Sequence, residues 1–460
     1  MTNWRPEIAR RRGPRYRAIA EALAEDIGRG VLPAGTRLPT HRDLAWRLKV
    51  TVGTVSRAYA EAERRGLFAG EVGRGTFVRS PSSAAPPRYD VEPRGSDYVD
   101  LNIHRPRVPE EATLLANALK ELARSAEAAG LMEYQPHAGM AAEREAGAAW
   151  IARSSGLATN AAQTVLTCGG QHAMAVVLAA VTRPGDSLAV EALTYPGICA
   201  AAALLHVNIV PLALDKQGAV PESFAALCRA GRVRAAYLLP TLQNPTAATM
   251  PVERRQAIAE LAQRHGVLLI EDDAYGFLCE RPLPPLAAFA PEHAFYFTST
   301  SKSLIPGLRV GYVHCPLALV DRVVAAVRAT TYTAPPLMAR IASRWIADGT
   351  ADTLVAAKRA ETARRRQLAQ KILDGLSGSP ESAHLWLTLP EPWRADDFAA
   401  AAHRRGVGVA PASAFAATRQ VPNALRLCIG TPPSLADLER GLRRLSDLLT
   451  ASATPYLSVV

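Results

Sequence analysis

The hydrophobic rhythm of the chain changes once, near residue 80. Ahead of that point apolar positions recur at helical spacing. Ile19, Leu23 and Ile27 fall four apart in RYRAIAEALAEDIGR (15–29) and predict a helix with one apolar face, stopped by Gly30. Thr40, with Asp43 three residues on, forms a Thr/Asp version of the capping box and opens a short helix over 41–48. Thr51 caps a third helix through VGTVSRAYAEAERRG, closed by Gly66. LFAGEVGRGTFV then places two short β-prone pieces around a Gly-rich turn, a hairpin with Arg74 at its tip. The Pro- and Ser-rich stretch 79–97 has no periodicity and reads as a linker, and its 19 residues span roughly 25 Å as a coil.

Beyond the linker, short apolar runs (VRAAYLLP, GVLLIEDD, AFYFTSTS, RVGYVHC) alternate with helical stretches such as PVERRQAIAELAQRH. That alternation predicts an α/β fold with a mostly parallel sheet. No internal repeat is evident. The expected division is a small compact module over 1–79, a linker over 80–97 and a large domain over 98–460.

Charge sharpens this division. The 460 residues carry a formal net charge of +11. Residues 1–79 hold 16 Lys+Arg against 8 Asp+Glu, a net of +8. The other 381 residues hold 37 against 34, a net of +3. One small basic module with an anionic partner is implied, rather than a uniformly basic enzyme. A hydrophobic content of 48% with 21% charged residues excludes a mainly disordered chain. The six cysteines (Cys168, Cys199, Cys228, Cys279, Cys315, Cys428) form no C-x-x-C pair and no zinc spacing, so no metal site is expected. The basic N-terminus lacks an apolar h-region, and no window offers the roughly 18 apolar residues of a membrane helix. A soluble cytoplasmic protein is the expectation.

On pattern alone the small module is either a helix-turn-helix or a docking domain with solvated charges. Its residues GTRLPTHRDLA (35–45), Thr54-Val55, Arg57-Ala58-Tyr59 and GRGTFV (73–78) resemble the GntR-type winged helix. The resemblance implies DNA contacts from Arg37, Thr40, Arg42, Thr51, Thr54, Arg57 and the wing residue Arg74. Such proteins often carry Ser-Arg at the start of the recognition helix, where this chain has Thr51-Val52.

In the large domain, YLLPTLQNPT ends a predicted strand with Asn244. GVLLIEDDAY ends another with Asp272 and adds Tyr275, and FTSTSKSLIPGLRVGY supplies Ser299, Ser301, Lys302 and Arg309. A buried Lys, a carboxylate, an amide and a phenol at strand ends suit pyridoxal 5'-phosphate (PLP) chemistry. The Lys forms a Schiff base, the carboxylate keeps the pyridine nitrogen protonated, and the serines and Arg309 hold the phosphate. QNPT, DDAY and SxSKxxxPGLRxGY together resemble the fold-type I, class I aminotransferases, over about residues 98–450.

The resemblance implies a large part over about 130–330 and a small α+β C-terminal subdomain over about 331–455. It implies phosphate contacts from Gly169, Gly170 and Gln171, stacking of Tyr195 on the ring, and Tyr134 of the partner subunit reaching the phosphate of a homodimer. Arg426 matches the arginine that grips a substrate carboxylate. Ala247 stands where the family's QNPTG has Gly, which is neutral if the backbone there keeps a negative φ.

A winged helix joined to an aminotransferase-like domain resembles the MocR subfamily of GntR regulators. That implies a PLP-dependent regulator, a head-to-tail dimer, that senses an amino compound or PLP through aldimine exchange at Lys302. The same residues also allow an active aminotransferase with an appended DNA-binding domain, or a DNA-binding protein with PLP as a structural ligand.

Overall fold

In a computed structural model the chain is described at residues 4–8, 14–28, 31–33, 36–64, 68–71, 75–78, 95, 97–418 and 420–451. It forms two compact units, Met1–Val91 and Glu92–Val460. The expected helix stops Gly30 and Gly66, the wing tip Arg74 and nearly all of the linker (79–94 and 96) lie outside the described residues.

The first unit holds three helices, α1 (Arg15–Gly28), α2 (His41–Leu48) and α3 (Val52–Arg64). A hairpin follows, β1 (Phe68–Glu71) against β2 (Gly75–Val78). Ile19 and Leu23 of α1 are fully buried against Leu44, Val55 and Ala58, so the four-residue apolar spacing becomes the core contact. Thr40 caps α2 by accepting from the Asp43 N–H at 3.2 Å, and its hydroxyl donates to Asp43 Oδ2 at 2.7 Å. Thr51 caps α3 in the same way through the Thr54 N–H at 3.2 Å.

The second unit is built on a seven-stranded sheet. Its strands are β3 (Thr164–Thr167), β4 (Ser187–Glu191), β5 (Asn208–Leu212), β6 (Ala235–Leu238), β7 (Leu268–Asp272), β8 (Ala294–Ser299) and β9 (Gly311–His314). They lie in the order β3-β9-β8-β7-β6-β4-β5. β9 runs antiparallel to both neighbours and the remaining pairs are parallel. The apolar runs are continuous because both faces are covered. Ala236, Leu238, Leu269 and Tyr296 enter one core, and the alternating Tyr237, Ile270, Phe295 and Phe297 enter the other. Helices α4 (Gly170–Val181) and α5 (Val252–His265) belong to these layers, and α6 (Thr350–Ile372) leads into a smaller lobe.

The smaller lobe carries a four-stranded antiparallel sheet. Its strands are β10 (Leu376–Ser377), β11 (His384–Thr388), β12 (Ala410–Pro411) and β13 (Ala424–Cys428), in the order β10-β11-β13-β12. Val99 and Leu101, just past the linker, are buried in its core, and Val99–Asp100 pairs with Val407–Gly408. Arg444 holds the start of this segment by two 2.8 Å bonds to the Asp97 carboxylate. Among the described residues no helix is long and apolar enough to cross a membrane.

Ala247 departs from expectation. Its φ is +58°, in the left-handed region, so the neutral case that required a negative φ does not hold. The loop needs this twist because the Ala247 N–H turns back to Gln243 O at 2.6 Å while Ala247 O accepts from the Ser379 N–H at 2.8 Å. Left-handed backbone costs an Ala about 1–2 kcal/mol. Glycine relieves that, but loses about 0.8 kcal/mol of methyl burial and about 0.4–1 kcal/mol through its freer unfolded chain. Ala247→Gly is therefore expected to stay within about 1 kcal/mol of the parent in urea unfolding. Ala247→Val adds β-branched strain and overpacking at a fully buried site and is expected to lose at least about 2 kcal/mol. Equal stability of the two variants would contradict the left-handed assignment.

Candidate functional site

The chemistry-bearing pieces meet along one edge of the seven-stranded sheet. β3 ends at Thr167 and β8 at Ser299, and antiparallel β9 starts at the same edge, with Gly311 opposite both. Asp272 is the last residue of β7. Ligands bind beyond such carboxyl ends because the loops there are free to diverge. Asn244 is a correction: β6 stops at Leu238, and Asn244 lies further on in a buried loop. Polar Thr241 and Gln243 break the apolar run ahead of it. Gln243 staples that loop, donating to Glu191 Oε2 at 3.0 Å and Leu193 O at 2.7 Å and accepting from the Thr246 N–H at 2.9 Å.

Lys302 sits on the four-residue helix Thr300–Ser303. Its Nζ donates to the main-chain oxygen of His104. Burial pushes its amine down to about 8; the positive Arg426, Lys358 and Arg309 act in the same direction, and Cys428 opposes them. A lowered amine has a larger neutral, nucleophilic fraction near neutral pH. The buried Lys358 of α6 fixes the main chain here, donating to Lys302 O at 3.2 Å and to Leu304 O while pairing with Glu111 at 2.8 Å.

Asp272 accepts from the Tyr237 hydroxyl at 2.5 Å through Oδ2. Burial pushes its carboxyl up to about 7 against that hydrogen bond, and the adjacent Asp273 adds to the rise. A nearby cation would restore its charge. Tyr275 is buried, with its phenol raised chiefly by burial and further by the proximity of Tyr195 and Asp272. Arg426, on β13, donates through Nη1 to Asn244 Oδ1 at 2.7 Å and through Nη2 to Asn102 O at 2.5 Å, with its guanidinium carbon 4.5 Å from the Phe415 ring centre.

At the other end Arg309 donates to Ser301 Oγ and to Cys168 O, each at 3.1 Å. Gly169 caps α4 with φ +85°, which favours glycine, and a Cβ there would stand 2.8 Å from Arg309 Nη2 and push the guanidinium aside. The Gln171 side chain is engaged with Gly197 O at 2.9 Å, which leaves its main-chain N–H in the first turn of α4. Tyr195 ends the β4 loop ahead of the helix Pro196–Leu204.

The structure thus brings Gly169, Gly170, Gln171, Tyr195, Asn244, Asp272, Tyr275, Ser299, Ser301, Lys302, Arg309 and Arg426 to one edge of one unit. Tyr134 is not among them. It stands 88% exposed on the surface, against Tyr332 with ring centres 5.3 Å apart. His104, Lys358 and His384 belong to the site's walls although no motif marks them, and Tyr237 and Gln243 join them from the YLLPTLQNPT stretch, whose pattern does not single them out.

In the first unit Arg37, Arg42, Thr51 and Arg57 are exposed, and Thr54 is half-buried beside Thr51, their hydroxyls 2.8 Å apart. The Arg57 guanidinium carbon lies 5.0 Å from the Tyr16 ring centre. Thr40 is exposed, but its hydroxyl serves the cap described above.

Comparison with known proteins completes the assignment. Residues 96–445 match the family described as aminotransferase class I and II, and residues 15–78 match the bacterial regulatory proteins of the gntR family. An uncharacterized HTH-type transcriptional regulator of Bacillus subtilis, YdeF, is 34% identical over 97% of this chain and 98% of its own length. The chain belongs to the MocR-type GntR regulators. The pyridoxine biosynthesis regulator PdxR of Corynebacterium glutamicum is 28% identical, over 67% of this chain and 68% of its own. Among solved structures, the kynurenine aminotransferase of Pyrococcus horikoshii superposes with a TM-score of 0.71 at 25% identity, covering 78% of this chain and 92% of that one.

The cofactor of the family is PLP, and the residues of this MocR-type chain fit it. The low-pKa buried Lys302, the Asp272 carboxyl awaiting a cation, and a cradle at Gly169 that a Cβ would fill each answer one part of that molecule.

Proposed function

We propose that this regulator couples operator affinity to the capture of a carboxylate-bearing amino compound, or of PLP itself, at the Lys302 site. One observation carries the reading: an exposed basic helix-turn-helix and a complete Lys302–Asp272–Arg309–Arg426 constellation occur in one polypeptide. When bound, the cofactor supplies an aldehyde that exchanges amines reversibly and a ring that withdraws electrons.

The chain's own residues do the rest. Lys302 would attach the aldehyde, and Asp272, held by Tyr237, would keep the ring nitrogen protonated. Asn244 and Tyr275 would donate to the ring oxygen, while Tyr195 would stack on the ring. Ser299, Ser301, Arg309 and the main-chain N–H groups of Gly169, Gly170 and Gln171 bind the phosphate. Tyr134 of the partner subunit reaches that phosphate, which makes the unit a homodimer, arranged head-to-tail. Arg426 grips the carboxylate, and its Nε–H is a buried donor without a partner among the described residues. Arg37, Thr40, Arg42, Thr51, Thr54, Arg57 and Arg74 face DNA, and residues 80–97 link the two units. The switch requires that the amine bind two dimer states with different affinity.

Gel shift of the full chain on its own upstream DNA, with and without PLP and a panel of amines, tests this. A sequence-specific complex altered by an amine is expected; no specific complex under any condition would defeat the reading. Rapid steady-state transamination without any effect on DNA binding would favour the aminotransferase alternative. Arg42→Ala is expected to lower the slope of log K against log salt by about one, the loss of one phosphate contact. An unchanged slope would place Arg42 off the backbone.

A further inference from the structure

His104 is a buried imidazole whose two nitrogens have no hydrogen-bond partner among the described residues. Buried polar side chains are normally paired, so an idle pair of ring nitrogens asks for an explanation. The ring is not loose. It packs edge-on against Tyr275, with ring centres 4.8 Å apart, and against His384 at 5.9 Å. His384 is itself satisfied, through Gln243 O at 2.9 Å and Ser382 Oγ at 3.2 Å.

The main chain around His104 is held on every side. Asn102 O accepts from Arg426, Ile103 O from the Thr431 hydroxyl, and His104 O from Lys302, while the Arg105 N–H donates to Thr431 Oγ1 at 3.1 Å. The ring is therefore carried on a segment whose main chain touches both Lys302 and Arg426. Burial drives its proton off, and the positive Lys302, the neighbouring His384 and the positive Arg426 all act in the same direction. A neutral imidazole carries one donor and one acceptor. A ligand carboxylate would satisfy only the donor and an ammonium only the acceptor, whereas a hydroxyl answers either nitrogen.

We infer that His104 is a specificity-determining residue that selects amino acids carrying a side-chain hydroxyl, by hydrogen-bonding that hydroxyl beside Lys302, Tyr275 and Arg426. This rests on the reading that the site captures a carboxylate-bearing amine. A site built to hydrogen-bond a hydroxyl rejects the analogue without one far more strongly than an apolar pocket rejects a missing methylene.

The test uses the full PLP-loaded chain and two matched pairs, L-serine with L-alanine and L-homoserine with L-2-aminobutyrate. Binding is read from the change in cofactor absorbance and, independently, from the shift in Tm. For at least one pair the hydroxylated member is expected to bind at least about tenfold tighter to the parent. In His104→Leu that ratio falls to about one, and His104→Gln, which keeps a donor and an acceptor, recovers part of it. Should His104→Leu fail to hold PLP, the comparison of His104→Gln with His104→Asn decides the matter, since the shorter amide cannot reach as far. A ratio near one in the parent for both pairs, or the same ratio in all variants, overturns the assignment alone. If none of the four amines changes either readout, the amine-capture reading falls and takes the assignment with it.

Discussion

Lys302→Ala is expected to purify with no lysine-linked cofactor band. Borohydride reduction followed by mass spectrometry should find a pyridoxyl adduct on the parent and none on the variant. Retention of PLP should weaken by about a hundredfold or more, equivalent to about 2.8 kcal/mol, because the covalent anchor is gone while the Asp272 and Arg309 ends remain. The lowered amine adds a second expectation. Neutral amine is the nucleophile, so covalent loading of the parent should rise with pH and level off once pH passes about 8. An ordinary lysine would keep rising past pH 10. The DNA-binding unit is compact by itself, so the variant should still shift operator DNA. An effector response equal to the parent's in Lys302→Ala would remove Lys302 from the switch.

Much of this site is legible in the amino-acid sequence, for a physical reason. A parallel sheet buried on both faces writes its strands as unbroken apolar runs, and its ligand groups follow at the carboxyl ends. Asp272 closes β7, and Lys302 and Arg309 flank the turn between β8 and β9, so the runs and the polar residues after them point to one place. The Thr40 and Thr51 caps are legible because capping is local.

What escapes a sequence reading is long-range. β6 ends at Leu238 although the apolar run carries on through Leu239 and Pro240, and the loop beyond it is buried too, polar residues included. The left-handed φ of Ala247 depends on a bond from Ser379, which lies far along the chain. His104 lies in LNIHRP with no periodicity around it, and nothing local says that its ring meets Tyr275. Lys358 and Arg255 sit in helices rich in charge, where a cation normally faces water; both are fully enclosed instead.

Arg255→Met is expected to produce a large loss of stability, about 3–5 kcal/mol. Its side chain is completely buried in α5 and ties four stretches together. Nε donates to Met250 O at 2.9 Å, Nη1 to Pro284 O at 3.2 Å, and Nη2 to Pro240 O at 3.0 Å and Thr241 Oγ1 at 2.9 Å. It also stands 3.7 Å from Glu271, the residue before Asp272 on β7. Methionine fills the volume but leaves those oxygens, and the Glu271 carboxylate, without their cation.

The loss should grow with pH, and the sign follows from Glu271. Burial pushes its carboxyl up to about 7 while Arg255 pulls it down. A raised folded value means that protonated Glu271 favours the fold; that contribution is complete below the unfolded value of 4.5 and is lost as pH rises through about 7. Without Arg255 the folded value climbs further, so the variant keeps losing stability where the parent has levelled. Urea unfolding at pH 6 and pH 8.5 should therefore show a wider gap between parent and variant at the higher pH. Arg255→Met combined with Glu271→Gln removes the stranded charge and should regain much of the difference at pH 8.5. A gap that is constant with pH, or a double variant no better than the single, would mean that the loss comes from the four uncapped oxygens and not from the buried carboxylate.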